Sequence, residues 1–218
     1  MTVDPFRQAI ALVPVAAYVL LLAIVNARRR PFLTSGGSDF TALGVALSGL
    51  MFVGPMELFR PEAATREFGN YIWLFLVLFY WLWLLLVVLL SRPRLVVYNI
   101  SVEELRPVLA EAANRLDPDA RWAGNHLTLP GLGVHLHLDS FDLMRNASLV
   151  SSGSRQNIDG WRRVARELSR SLAAIRVKPN PRAIGLAVVS LALLAGSVTY
   201  MLSRPDELLQ AMNEVFAY

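Results

Sequence analysis

The three histidines of the chain, His126, His135 and His137, lie close together, with Asp139 two residues beyond the last. Imidazole nitrogens and a carboxylate are donors that zinc accepts. Around them apolar and polar residues alternate. Leu127 and Leu129 interleave with His126 and Thr128, and Val134, Leu136 and Leu138 interleave with His135, His137 and Asp139. A period of two on both sides of Pro130-Gly131 describes a hairpin with one apolar and one polar face. With Pro130-Gly131 as a two-residue turn, His126 stands opposite His135; a shifted register puts it opposite His137 instead. Cross-strand neighbours lie about 5 Å apart, so the three rings and Asp139 can share one face. Zinc is the cofactor this pattern admits. The same spacing also describes a solvated polar row. No residue that would orient ligating imidazoles is recognisable, and the balance rests with the solvated row.

Other chemistry finds less support. The chain has no cysteine, which excludes disulfides, thiolate metal sites and cysteine nucleophiles. There is no GxSxG elbow, and Gly131-Leu132-Gly133 lacks the rest of a phosphate-binding loop. No catalytic residue is assigned, and the chain is read as a non-enzyme.

Two further groups of residues fit contact rather than catalysis. Arg162, Arg166 and Arg170 recur every four residues with Arg163 beside them, a basic stripe on one helix face. Such a stripe is a solvated face, a contact with anionic lipid headgroups, or a docking surface for an acidic partner. Nucleic acid is not expected, because no aromatic platform accompanies the charges. Phe75, Phe79 and Trp83 are likewise four apart, and Trp81 and Trp83 sit mid-segment rather than at the interface where tryptophan concentrates. These rings suit a partner helix, a flat apolar cofactor or acyl chains.

The segment that carries those rings defines the class of the chain. Residues Tyr71 to Leu90 contain no charge, proline or glycine. As a helix they extend about 30 Å, the thickness of a bilayer's hydrocarbon core. Three more segments are apolar enough to accompany it, at about 9–27, 40–59 and 183–202. The second is the weakest, interrupted by Gly44, Gly49, Gly54 and Pro55 and ending near Glu57; a re-entrant course is its alternative. Gly44 with Ser48, and Ala192 with Gly196, are pairs of small residues four apart, which let a neighbouring helix approach closely. Glu57 is the acidic residue nearest a span interior. Its place near the segment end fits an interfacial carboxylate better than an ion pathway.

Charge distribution orients these spans. Arg28, Arg29, Arg30, Arg92, Arg94, Arg176, Lys178 and Arg182 flank one side, whereas Arg7, Arg60, Arg66 and Arg204 on the other side are interspersed with acids. The positive-inside rule then puts both termini outside and the segment between spans three and four in the cytoplasm. The positive charges follow the first apolar segment instead of preceding it, so it reads as an uncleaved anchor. Arginine outnumbers lysine twenty to one, a skew that GC-rich coding accounts for.

Residues 94–178 read as a small α+β domain between residues 1–93, with three spans, and residues 179–218, with the fourth span and a short external tail. Leu95 to Ile100 is a β-rich run. Ser101 and Glu104 form a capping box ahead of Val102, Leu105, Val108, Leu109, Ala112 and Leu116 at helical spacing, with Pro107 expected to bend that helix or delay its start. The hairpin follows, then a strand at about 147–151. A final helix at about 157–176 carries the stripe Ile158, Trp161, Val164, Ala165, Leu168 and Leu172. The expected order is β-α-β-β-β-α, an antiparallel sheet with two helices on one face. The reading is a four-span bacterial inner-membrane protein, a non-catalytic accessory or structural subunit of a larger complex, with a bioenergetic complex as one candidate. Its partners are other integral subunits and anionic lipid headgroups. The alternatives are a metal-responsive regulator or metalloenzyme using the histidines, and a small transporter acting through Glu57.

Overall fold

The computed structural model describes residues 4–56, 67–69, 71–141, 144–153 and 156–207. The chain divides into two compact units. One comprises Met1–Ala23, Phe40–Leu89 and Gly185–Tyr218, and the other Ile24–Asp39 and Leu90–Ile184.

Four helices are long and apolar enough to cross a membrane. They are α1 (Pro5–Ala27), α2 (Gly36–Met51, continued by a π turn over Phe52–Met56), α3 (Tyr71–Leu90) and α6 (Arg182–Ser203). In the helical unit the glycines of α2 are contact points. At Gly44 a Cβ would come within 2.6 Å of the Leu84 side chain of α3, and the Gly44 carbonyl accepts a 2.6 Å hydrogen bond from the Tyr80 hydroxyl. At Gly49 a Cβ would collide with the Ile10 carbonyl of α1. On α6, the Ser190 hydroxyl donates to the Ala16 carbonyl at 2.8 Å.

The second unit is built on a six-stranded, wholly antiparallel sheet in the order β1-β2-β6-β5-β4-β3. The strands are β1 (Phe32–Ser35), β2 (Arg94–Tyr98), β3 (Arg121–Ala123), β4 (His126–Leu129), β5 (Val134–Phe141) and β6 (Asn146–Ser151). Leu95, Val97, Leu127, Leu129, Val134, Leu136, Leu138, Ala147 and Leu149 form the apolar face. Two helices cover it: α4 (Val102–Leu116) through Leu105, Leu109 and Ala113, and α5 (Ile158–Ala173) through Trp161, Val164, Leu168 and Leu172. One shared core of this kind is the expected solution for a two-layer α+β arrangement.

The element order differs from the sequence expectation by two strands. β3 is a three-residue segment, too short to show a period. β1 belongs to the stretch between the first two apolar segments, yet it pairs with β2 at one sheet edge, Leu33 opposite Val97. It is held by partners sixty or more positions away, which local pattern does not report. Pro107 does not delay α4. The Ser101–Glu104 capping box is formed in both directions, so the helix starts at Val102 and carries Pro107 inside. The cost is the Glu103 carbonyl, which loses its helical donor.

Candidate functional site

The hairpin geometry decides which histidines meet. Residues Pro130–Leu132 form a 3-10 turn and Gly133 takes a left-handed conformation, φ 60°. The connection is thus four residues long, closing on the pair Leu129–Val134 rather than as a two-residue turn. Pro130 favours this outcome because its fixed φ suits a helical turn start, and Gly133 supplies the positive φ that ends it. The Asp117 carboxylate secures the turn by accepting from the Gly131 N–H at 2.7 Å.

This register sets His126 opposite His137, with ring centres 5.6 Å apart and planes inclined by 39°. His135 stands opposite Thr128, its Nδ1 3.4 Å from the threonine hydroxyl oxygen. Asp139 faces Ser148 across the β5–β6 pair. The structure therefore joins two of the three histidines. Among the described residues no group of three histidine, aspartate or glutamate side chains is placed to hold a metal.

The basic stripe lies on the outer face of α5. Arg162 pairs with Asp159 at 3.1 Å and Arg170 with Glu167 at 3.5 Å, while Arg166 Nε donates to the Arg162 carbonyl at 3.4 Å. Asp159 thus balances Arg162, whereas Glu167 is shared between Arg170 and Arg115, which it meets at 3.0 Å. Exposed pairs of this kind contribute about 0–1 kcal/mol and leave the guanidinium groups accessible.

On α3 the rings of Phe75, Phe79, Trp81 and Trp83 are all exposed within this chain, Phe79 the most, at 65%. Phe75 meets Phe68 edge to face at 5.7 Å. The two small-residue pairs have different fates. Gly44 is filled by Leu84, whereas Gly196 on α6 has no described residue within 4 Å of a Cβ position and Ala192 is exposed on the same helix. Glu57 lies outside the described residues.

Sequence reasoning missed one feature. Arg28, Arg29 and Arg30 count there only as topogenic charge, but they line a groove in the sheet unit together with Pro31, Phe32, Leu33, Ser169, Leu172 and Ala173. The usable signal was the β-prone Phe32-Leu33-Thr34, separated from the triplet by Pro31 alone, which anchors it at a sheet edge. Compared with known proteins, the chain matches no family model, no curated protein and no solved structure.

Proposed function

We propose that this chain is a non-catalytic accessory subunit of a larger bacterial inner-membrane assembly. Both termini lie outside, and the sheet unit serves as a cytoplasmic interaction domain. The Ala192–Gly196 face of α6, which no described residue covers at Gly196, carries this reading. In lipid, helices associate through small residues that admit close backbone approach, and the equivalent position at Gly44 is already occupied within the chain. The exposed rings of Phe79 and Trp83 offer a second apolar contact surface on α3. Arg162, Arg166 and Arg170 would meet anionic headgroups or an acidic partner from the cytoplasmic side.

Purification from the source membrane in mild detergent, followed by identification of co-purifying subunits, tests the reading. A stable hetero-complex that dissociates on Gly196→Leu is the expected result. A monomeric protein that retains no integral partner overturns it.

A second reading, a metal-responsive regulator, draws on the His126–His137 pair. Metal–nitrogen bonds of about 2 Å would put two ring centres roughly 5–6 Å apart, the separation this pair has. Calorimetric titration with zinc distinguishes the readings: binding lost in His126→Ala and kept in His135→Ala favours the regulator.

A further inference from the structure

We propose that the groove beside Arg28–Arg30 binds the phosphate-bearing headgroup of an anionic phospholipid. Nine described residues line it: Arg28, Arg29, Arg30 and Pro31 at the approach to β1, Phe32 and Leu33 of β1, and Ser169, Leu172 and Ala173 of α5. No carboxylate is among them. Arg28, Arg29 and Arg30 are all exposed, and no described residue forms an ion pair with any of them. This separates the triplet from the α5 stripe, where Asp159 and Glu167 already engage Arg162 and Arg170.

The triplet is held from behind, through its main chain. The Asn99 side-chain amide donates to the Arg28 carbonyl at 2.6 Å, and the Val177 N–H donates to the Arg29 carbonyl at 3.0 Å. Three guanidinium groups therefore project from a fixed backbone, which lowers the ordering cost of binding. Guanidinium groups match phosphate oxygens in bidentate geometry. The rest of the lining is mostly apolar, so an attached glycerol and acyl region finds Phe32, Leu33, Leu172 and Ala173, while Ser169 offers a hydroxyl.

Chain position selects a lipid over a free anion. Arg28 is the first residue after α1, a 23-residue apolar helix. With α1 spanning a bilayer, the membrane reading on which this inference rests, the triplet falls at headgroup level. At such a surface each arginine contributes about fivefold in affinity.

The experiment uses the full chain in neutral detergent and native mass spectrometry with added phosphatidylglycerol or phosphatidylcholine. The wild type should retain phosphatidylglycerol preferentially. Arg29→Gln/Arg30→Gln should weaken that retention by about thirtyfold while leaving both main-chain contacts in place, because neither uses an arginine side chain. Ser169→Glu sets a carboxylate on the opposite wall without touching the topogenic charges, and should weaken retention several-fold. Arg121→Gln, on β3 at the other sheet edge, should leave it unchanged. Undiminished phosphatidylglycerol retention in the folded Ser169→Glu and Arg29→Gln/Arg30→Gln proteins overturns the inference. Inorganic phosphate that displaces the lipid at comparable concentration overturns it in favour of a free-anion site. Alkaline carbonate extraction of membranes separates the two layers of the argument. A protein released by carbonate refutes the membrane reading and this inference together, whereas a retained protein with unaltered variants refutes this inference alone.

Discussion

Gly49 of α2 lies against the carbonyl of Ile10 in α1, the carbonyl that Pro14 deprives of its helical donor. A proline inside an apolar helix leaves one acceptor without its i+4 partner, which is costly in lipid unless a neighbour comes close. Only a glycine lets the α2 backbone approach so near, and its Cα hydrogen then faces the freed oxygen, a weak hydrogen bond that recurs between packed helices. Pro14 and Gly49, two helix breakers in isolation, are complementary in the pair.

The first prediction follows from that contact. Gly49→Ala sets a methyl group into the Ile10 backbone, and overpacking of this kind costs about 1–3 kcal/mol. Gly54→Ala is the matched comparison, because no described residue lies within 4 Å of a Cβ there. Thermal unfolding in detergent should show Gly49→Ala clearly lowered and Gly54→Ala at or above the wild type. Equal melting temperatures would rule out the α1–α2 contact.

A buried asparagine pair leads to the second. The Asn180 N–H donates to the Asn26 carbonyl and its side-chain amide to the Asn26 side-chain oxygen, both at 3.0 Å, and the same amide reaches the Met144 carbonyl at 3.1 Å. Its side-chain oxygen accepts from the Arg182 N–H at 3.2 Å, at the start of α6. Both asparagines are buried. Asn180→Ala should cost about 1–3 kcal/mol. Asn180→Asp should cost more at neutral pH, since it keeps the acceptor for Arg182 but turns a charged oxygen towards two acceptors. Denaturant unfolding at neutral pH measures the difference, and an Asp variant as stable as the wild type would refute the donor role.

The α4 N-terminus provides a third. The Ser101 hydroxyl accepts from the Glu104 N–H at 3.3 Å and the Glu104 carboxylate accepts from the Ser101 N–H at 3.2 Å. Ser101→Ala should cost about 1 kcal/mol. The neighbouring Glu103 carboxyl is held below its ordinary range by its own backbone N–H and by the Ser101 hydroxyl. A carboxyl shifted in that direction stabilises the fold above the usual carboxylate range, and the contribution is lost as the pH drops through the lowered value. Helicity of the variant followed by circular dichroism between pH 3 and 7 should therefore depend less steeply on pH than that of the wild type.

Legibility in the sequence tracked the range of the interactions. α3 appears at Tyr71–Leu90 as its uninterrupted apolar run requires, and both faces of the hairpin are where the alternation puts them. Each is decided by neighbours in the chain. The pairing of His126 with His137 was not decidable, because it depends on whether Pro130 opens a two-residue or a four-residue connection, and either closes the same alternating strands. The groove at Arg28–Arg30 was illegible for a stronger reason: its walls, β1 and the end of α5, are more than 130 residues apart in the chain. The arginine triplet was visible, but the carbonyl contacts from Asn99 and Val177 that fix it were not.

β1 supplies the last prediction, on whether the short strand between the first two apolar helices is integral to the sheet. Leu33 packs against the core opposite the fully buried Val97, whereas Phe32 is 39% exposed opposite Tyr98. Placing a carboxylate at Leu33 turns a partly buried apolar contact into an unpaired charge against Val97 and Leu95, a loss of about 2 kcal/mol or more. Phe32→Thr keeps a strand-compatible side chain on the exposed face and should cost less than about 1 kcal/mol. Hydrogen exchange locates the effect. In Leu33→Asp the amides of β2 should lose protection before those of β4 and β5, because β2 is the strand that β1 covers. Protection of β2 unchanged by Leu33→Asp would show the domain to end at β2.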